Sequence, residues 1–320
     1  MAGTARGSSS PVRLLVASLA VRAIPRSCSD WPGFPSGRAA HRRLRAAIWL
    51  GVASSFAVPL PAQIIAPAGR TLFNQAVMVR SVFTASAFDE PAPGADVHQL
   101  ALREAVIWGA TPRLTFTVVT PVIEKKVSPP GFAGIDRRLR GTGDTSLFAR
   151  FDAWKKNVPR GSTRLTPEFG LTLPTGGAFS DGSTDLSATL IFSHVRDPHW
   201  LVADVQVTRN GNGDGDLRQG TQWRVDLAYL NRLLPRRQMG TRSLYLVAEL
   251  NATHQRGATR GGADLSDSGG SLLRFSPGLE FFLNRRVVIE QSISIPVARS
   301  FDGQQVEPDI TYLAGLRWLF

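Results

Sequence analysis

The chain has 320 residues, a hydrophobic fraction of 43%, a mean hydropathy of -0.05 and a formal net charge of +12. It contains no apolar run of about eighteen residues, which excludes a bundle of membrane helices. The charge invites a nucleic-acid reading, but residues 1–62 carry eight arginines against Asp30 alone and so hold +7 of it. The rest is only mildly basic, and no nucleic-acid partner is expected.

The basic stretch has the form of a leader. Residues 41–45, HRRLR, make a positive n-region, and AAIWLGVASSFAVPL makes an apolar h-region too short to remain as an anchor. PAQ follows and offers Ala62 as the cleavage residue. We read residues 41–63 as a secretory signal peptide, with an amphipathic or buried helix as the alternative. Residues 1–40, rich in Arg, Ser, Ala, Gly and Pro, read as an over-extended start of translation or a disordered segment. Cys28, the one cysteine, falls there and stands in no lipoprotein cleavage motif. The mature chain, from residue 64 to 320, must then hold its fold without disulfides or a lipid anchor.

From about residue 70 the sequence alternates apolar and polar with a period of two, the signature of strands. The pattern predicts twelve, at 72–84, 99–109, 112–121, 145–155, 163–173, 184–194, 199–209, 221–232, 242–253, 271–283, 286–296 and 308–320. Clear examples are Leu201, Ala203, Val205 and Val207 alternating with Asp204, Gln206 and Thr208, and Trp223, Val225, Leu227 and Tyr229 alternating with Arg224 and Asp226. The first two strands alternate poorly, and in 99–109 the adjacent Arg103 and Glu104 force one charge outward unless the strand bulges.

Connections between these strands alternate short and long. That spacing, with strands of about ten residues, predicts an all-β fold, a transmembrane antiparallel up-and-down β-barrel with short periplasmic turns and longer outer loops. A soluble sandwich or lipocalin-like barrel is the alternative, but its strands are usually nearer five or six residues. An even strand number leaves both ends on the periplasmic side. Trp108, Trp154, Trp200, Tyr229, Phe281, Phe282, Trp318 and Phe320 lie near the periplasmic strand ends, where aromatic rings sit at the lipid–water boundary. Not all obey the parity: Trp154 falls on the polar face of its strand.

The last strand, DITYLAGLRWLF, must seal against the first, since an open edge in lipid leaves backbone groups unpaired. Its alternate residues Ile310, Tyr312, Ala314, Leu316, Trp318 and Phe320 form one apolar face. That face resembles the C-terminal signal by which bacterial outer-membrane proteins engage the barrel-assembly machinery. GTGDTSLFARF (141–151), PEFGLTLPTGGAFSDGSTDLSATLIFS (167–193), VVIEQSISIPV (287–297) and GLRWLF (315–320) follow in an order similar to a family of outer-membrane barrels labelled for a MetA pathway of phenol degradation. The resemblance spans about residues 70–320. It implies a transporter in a Gram-negative outer membrane, in contact with its lipid. Its Gly-Asp and Leu-Pro-Thr-Gly segments mark bends rather than chemistry.

Enzyme motifs are missing: there is no His-Glu-x-x-His, Gly-x-Ser-x-Gly, phosphate loop or paired-cysteine metal site. Ser193 and His194 stand together without an acid partner. Asn210, Asn212, Asp214 and Asp216 have calcium-loop spacing, but Thr221 stands where the bidentate Glu belongs, and a polar hairpin accounts for them equally. We therefore expect no catalytic residues, metal or cofactor. Function is placed on the polar face, with Arg150, Asp152, Glu168, Asp204, Arg224, Asp226, Glu249, Arg274, Glu280, Glu290 and Arg317 directed into the lumen. With signs so mixed they either line a narrow, weakly selective channel or pair across it and fill it. The reading is a passive pore or facilitator for small-molecule solutes, which the resemblance inclines toward apolar or aromatic compounds. The rivals are a scaffold presenting loops 122–144 and 254–270 to an outside partner, and an outer-membrane hydrolase.

Overall fold

The computed structural model describes residues 71–88, 96–128, 137–235, 242–303, 305 and 308–320. The leader and signal-peptide segments lie outside the described residues. Twelve antiparallel strands follow one another around a closed ring. They are β1 (Val77–Phe88), β2 (Asp96–Thr111), β3 (Leu114–Ser128), β4 (in three pieces, Arg137–Thr142, Thr145–Phe151 and Trp154–Val158), β5 (Gly161–Leu173) and β6 (Asp185–Arg196). The second half comprises β7 (His199–Arg209), β8 (Gln222–Leu234), β9 (Ser243–Gln255), β10 (Gly270–Phe282), β11 (Val287–Phe301) and β12 (Pro308–Leu319). Each strand pairs with its chain neighbours, and β12 closes on β1, from Met78 opposite Leu319 to Phe88 opposite Pro308. The backbone N–H of Phe320 donates to Val77 O at 2.8 Å, so the last residue of the chain pins the seam.

Side chains alternate as the period requires, but the polarity is that of a membrane protein. Phe169 is 64% exposed and Phe320 67%, whereas Asp226 is 0% and Glu290 1% exposed. Outward positions on every strand carry large apolar residues, among them Phe83, Leu102, Val118, Leu190, Val225 and Ile293. Such a continuous apolar belt suits lipid, and closure removes the edges that lipid would leave unsatisfied.

One end of the barrel carries the short turns at 112–113, 159–160, 197–198 and 283–286, together with the C-terminus. Longer connections, such as 174–184, 210–221 and 256–269, lie at the other end and fold on one another. Leu217–Arg218 pairs with Thr259–Arg260, which pairs with Ala263–Asp264, making a small ribbon between two loops. Asp214 N donates to Asp181 O at 2.8 Å, joining loop 210–221 to loop 174–184 as well. The expected long loop 122–144 is different: residues 122–127 pair with 137–142, so much of it continues β3 and β4.

β4 contains two bulges, which the regular pattern did not anticipate. Thr142 faces Val122 and Ser146 faces Val119, so four steps oppose three. Arg150 faces Glu168 and Trp154 faces Leu165, again with one extra residue. Each insertion reverses which face a residue takes. The second one turns Trp154 outward, against the parity expectation, and it is 48% exposed. At the first, Gly176 N donates to Asp144 Oδ1 at 2.9 Å and Gly177 N to Thr142 O at 2.9 Å. Loop 174–184 thus leans on β4 beside Gly141, where an added Cβ would stand 3.1 Å from the Ala178 Cβ.

β2 needs no bulge at its charged pair. Its register with β1 runs unbroken through Glu104, which faces Ser81, and Arg103, which faces Val82. Arg103 is buried inside, and Glu104 is exposed on the apolar belt, accepting a hydrogen bond from Ser81 Oγ at 2.7 Å.

Candidate functional site in the barrel interior

Among the described residues, inward-facing side chains assemble into ion-paired groups. The largest ties β1, β10, β11 and β12. Arg80 Nε donates to Glu290 Oε1 at 2.7 Å, and Arg317 reaches both Glu290 Oε2 at 2.7 Å and Glu280. Glu290 lies over the inward position of β12, which is Gly315. A Cβ there would stand 2.4 Å from Glu290 Oε1 and 2.5 Å from its Cγ. Glycine is required because the carboxylate needs that space to reach two arginines.

Strands β7, β8 and β9 hold the second group. Asp204 and Asp226 are directly opposite in register. Arg224 lies 2.8 Å from Asp226 Oδ2 and 3.9 Å from Asp204 Oδ1. Asn251 Nδ2 donates to Asp226 Oδ1 at 3.0 Å, and Ser276 Oγ continues to Asn251 Oδ1 at 3.1 Å and to Ser294 Oγ at 2.9 Å. Among the described residues neither carboxylate oxygen of Asp204 finds a hydrogen-bond partner, although the side chain is buried. Two carboxylates thus share one guanidinium, an arrangement that carries unrelieved repulsion.

The third group joins β4 and β5. Arg150 donates twice to Glu168 Oε2, at 2.8 and 2.5 Å. Asp152 pairs with Arg164 at 2.5 Å and accepts from Thr166 Oγ1 at 3.1 Å. Thr71 Oγ1 adds a contact to Asp152 Oδ2 at 3.3 Å, bringing the segment before β1 to the short-turn end. There the fourth group is a bidentate pair of Arg232 with Asp197, at 2.5 and 2.8 Å.

All eleven sequence-derived lumen candidates therefore lie on inward positions. Eight of them, Arg150, Glu168, Asp152, Arg224, Asp226, Glu280, Glu290 and Arg317, are in close ion pairs, with Asp204 more loosely held by Arg224. Glu249 is buried, and Arg274 Nη1 reaches Thr311 Oγ1 at 3.4 Å. The sequence reading missed Arg80, Arg103, Lys125, Arg164 and Arg232, all buried. Arg164 had a legible signal, since it shares the parity of Glu168. Arg80 and Arg103 lie on β1 and β2, where the alternation is poor, and Lys125 lies past residue 121, in the part of β3 that was expected to be loop. The ammonium of Lys125 sits 5.6 Å from the Phe88 ring centroid, a cation–π contact.

Apolar side chains complete the filling. Val82 and Leu313 from β1 and β12 belong to one packed cluster with Ile191, Val202, Ala228, Leu230, Tyr245 and Val247 from β6–β9. These strands stand on opposite sides of the ring, so the cluster crosses the lumen. Trp200 and Phe282 join it, at ring-centroid distances of 5.6 and 5.4 Å from Tyr245. This corrects their placement in the outer aromatic girdle. Each has the inward parity of its strand, with Leu201 and Phe281 taking the outer face. Trp108, Trp154, Tyr229, Phe281, Trp318 and Phe320 are exposed at the short-turn end, with Trp108 stacked on Phe116 and Trp318 on Phe320.

The candidate chemistry outside the lumen does not assemble. Ser193 is buried inside, whereas the neighbouring His194 takes the opposite face, its Nδ1 2.8 Å from Thr163 Oγ1. Asn210, from the calcium-like spacing, instead spends its amide on Gly220 O at 2.7 Å.

These features define a twelve-stranded up-and-down transmembrane β-barrel whose interior is filled by paired charges and an apolar cross-brace. The chain belongs to the family described as "Putative MetA-pathway of phenol degradation", whose model matches residues 87–300. No curated protein matches it. Its fold is similar to the COG4313 outer membrane channel from Pseudomonas putida F1, with a TM-score of 0.63 and 15% identity over 78% of this chain and 97% of that one. The beta domain of the Bordetella autotransporter BrkA matches less well, with a TM-score of 0.48 and 12% identity over 77% of this chain and 100% of that one.

Proposed function

We propose that the chain is an outer-membrane transporter that lets small molecules pass passively through the barrel, its long-loop end facing outward. The observation that carries this reading is the inversion of polarity: an apolar belt encloses an interior of buried, mutually paired charges. Apolar side chains of similar volume would often fill the interior at no loss of stability, so the retention of paired charges favours a role for them in solute passage. Charges that neutralise one another can re-pair as a solute passes, giving weak ion selectivity. The family description inclines the solute toward apolar or aromatic compounds, and the cluster around Tyr245, Trp200 and Phe282 offers them contact. The terminal strand, with Trp318 and Phe320, would be the element read by the barrel-assembly machinery.

The test is solute influx into liposomes holding the folded chain, with small aromatic and sugar solutes graded by size. Influx that exceeds empty liposomes and falls with solute size supports the reading. A folded barrel that admits none of them refutes it. Because side chains cross the lumen, steady conductance in a planar bilayer should be small, and it should rise when Arg317→Met loosens the group around Glu290.

A further inference from the structure

The outer face of β1–β4 changes character toward the long-loop end. At the other end Val77, Trp108 and Phe116 form one cross-strand row of the apolar belt. The corresponding row at the long-loop end is Ala87, His98, Lys126 and Arg138. Ten residue steps along β1 separate Val77 from Ala87. At ~3.3 Å per residue and a strand tilt of ~40°, the rows stand ~25 Å apart along the barrel axis. That is the height of the apolar band, so the second row meets the headgroups of the opposite leaflet.

Lys126 and Arg138 stand side by side in that row with His98 next to Lys126, and like charges directly opposite across strands repel. One row lower, Glu124 stands opposite Arg140. Beside the basic row is a groove of about 540 Å³. Ala85 and Ala87 make its floor, with Leu100 on one side and Ile310 and Tyr312 on the other; His98, Lys126 and Arg138 line its upper part, and Glu124 lies level with Ala85 and Leu100. A small-residue floor between apolar walls fits an acyl chain, and the row above it fits an anion. His98 and Lys126 also take part in further interactions within the protein.

We infer that this face binds a phosphorylated lipid of the outer leaflet, its phosphate between Lys126, Arg138 and His98 and one acyl chain along Ala85 and Ala87. The geometry joins two chemistries that a lipid alone combines: a point of negative charge at the headgroup and an apolar tail running toward the bilayer centre. A free phosphate would use only the upper half. The inference rests on the membrane placement proposed above.

Native mass spectrometry of the full chain in detergent, with diphosphoryl lipid A added, tests it. The wild type should retain one lipid, and Lys126→Gln/Arg138→Gln should weaken retention by about thirtyfold, as expected for two basic groups at an anionic surface. Lys155→Gln/Lys156→Gln, which removes equal charge from exposed positions at the short-turn end, should behave as wild type. Fully dephosphorylated lipid A should bind poorly. Equal retention by wild type and the Lys126/Arg138 variant would overturn the assignment, as would equal loss in the Lys155/Lys156 control. Displacement of the lipid by millimolar inorganic phosphate would also overturn it, reducing the site to an anion contact. Folding of each variant is checked by its heat-dependent shift in gel mobility. Solute influx is read separately: lipid retention without influx would refute the transport reading and leave this one standing.

Discussion

Replacing Gly315 with alanine tests the idea that the interior is held by a specific arrangement of charge. The new Cβ would press on the Glu290 side chain at three atoms, the Cδ at 2.8 Å being the farthest. Rotating only the carboxylate tip cannot relieve contacts that include Cγ, so the whole side chain must turn away. Glu290 then leaves Arg80, 2.6 Å away, and Arg317, 2.7 Å away, while Arg317 retains Glu280. Breaking a buried pair and leaving its partner in place costs about 3–5 kcal/mol. The assay is equilibrium unfolding by urea in lipid vesicles, followed by tryptophan fluorescence, on a double-mutant cycle with Glu290→Ala. Gly315→Ala should destabilise the wild type by about 3 kcal/mol or more and have little effect once Glu290 is gone. Equal costs in the two backgrounds would show that the glycine serves the backbone alone, and the reasoning from Glu290 would fall.

Other substitutions probe the remaining groups in the same unfolding assay. Asp204→Asn removes one of two opposed carboxylates that share Arg224 and should stabilise the barrel by ~1–3 kcal/mol; destabilisation would mean that Arg224 depends on both. Glu104→Leu replaces a charge on the apolar belt and should stabilise by about 1–2 kcal/mol, less than the penalty typical of a lysine or arginine at that depth. Loss of stability would show that the bond from Ser81 outweighs exposure to lipid. Variants retaining a single tryptophan should separate the two environments: brominated lipid should quench Trp154 strongly and Trp200 weakly, and the reverse order would contradict the assigned faces.

Period-two alternation made the architecture legible before any coordinate. The strand read at 199–209 coincides with β7, and the other eleven fall where strands occur, with ends that shift by a few residues or, in β3, β4 and β11, extend further. Bulges were not legible, because an inserted residue has no compositional mark beyond the Gly-Asp pair at 143–144. Trp154 could therefore only be recorded as an exception. Trp200 and Phe282 are instructive in the opposite sense. Their parity already placed them inside, and nearness to a strand end was wrongly given more weight than facing. The lumen residues were legible as a face, but not as partners. Pairing depends on which strands adjoin and on how far an arginine reaches, as when Arg317 spans from β12 to Glu280 on β10.

The seam between β1 and β12 also orders events in time. Ser86 and Thr311 share a hydrogen bond across 225 residues of chain, and Arg80 meets Glu290 across 210. Loop-closure entropy grows slowly with length, but contacts this distant return nothing until the hairpins between them are placed. Local hairpins such as β6–β7 can form first; the ring closes last. The charges that meet at the seam are then drawn out of water only once the wall that satisfies them is complete.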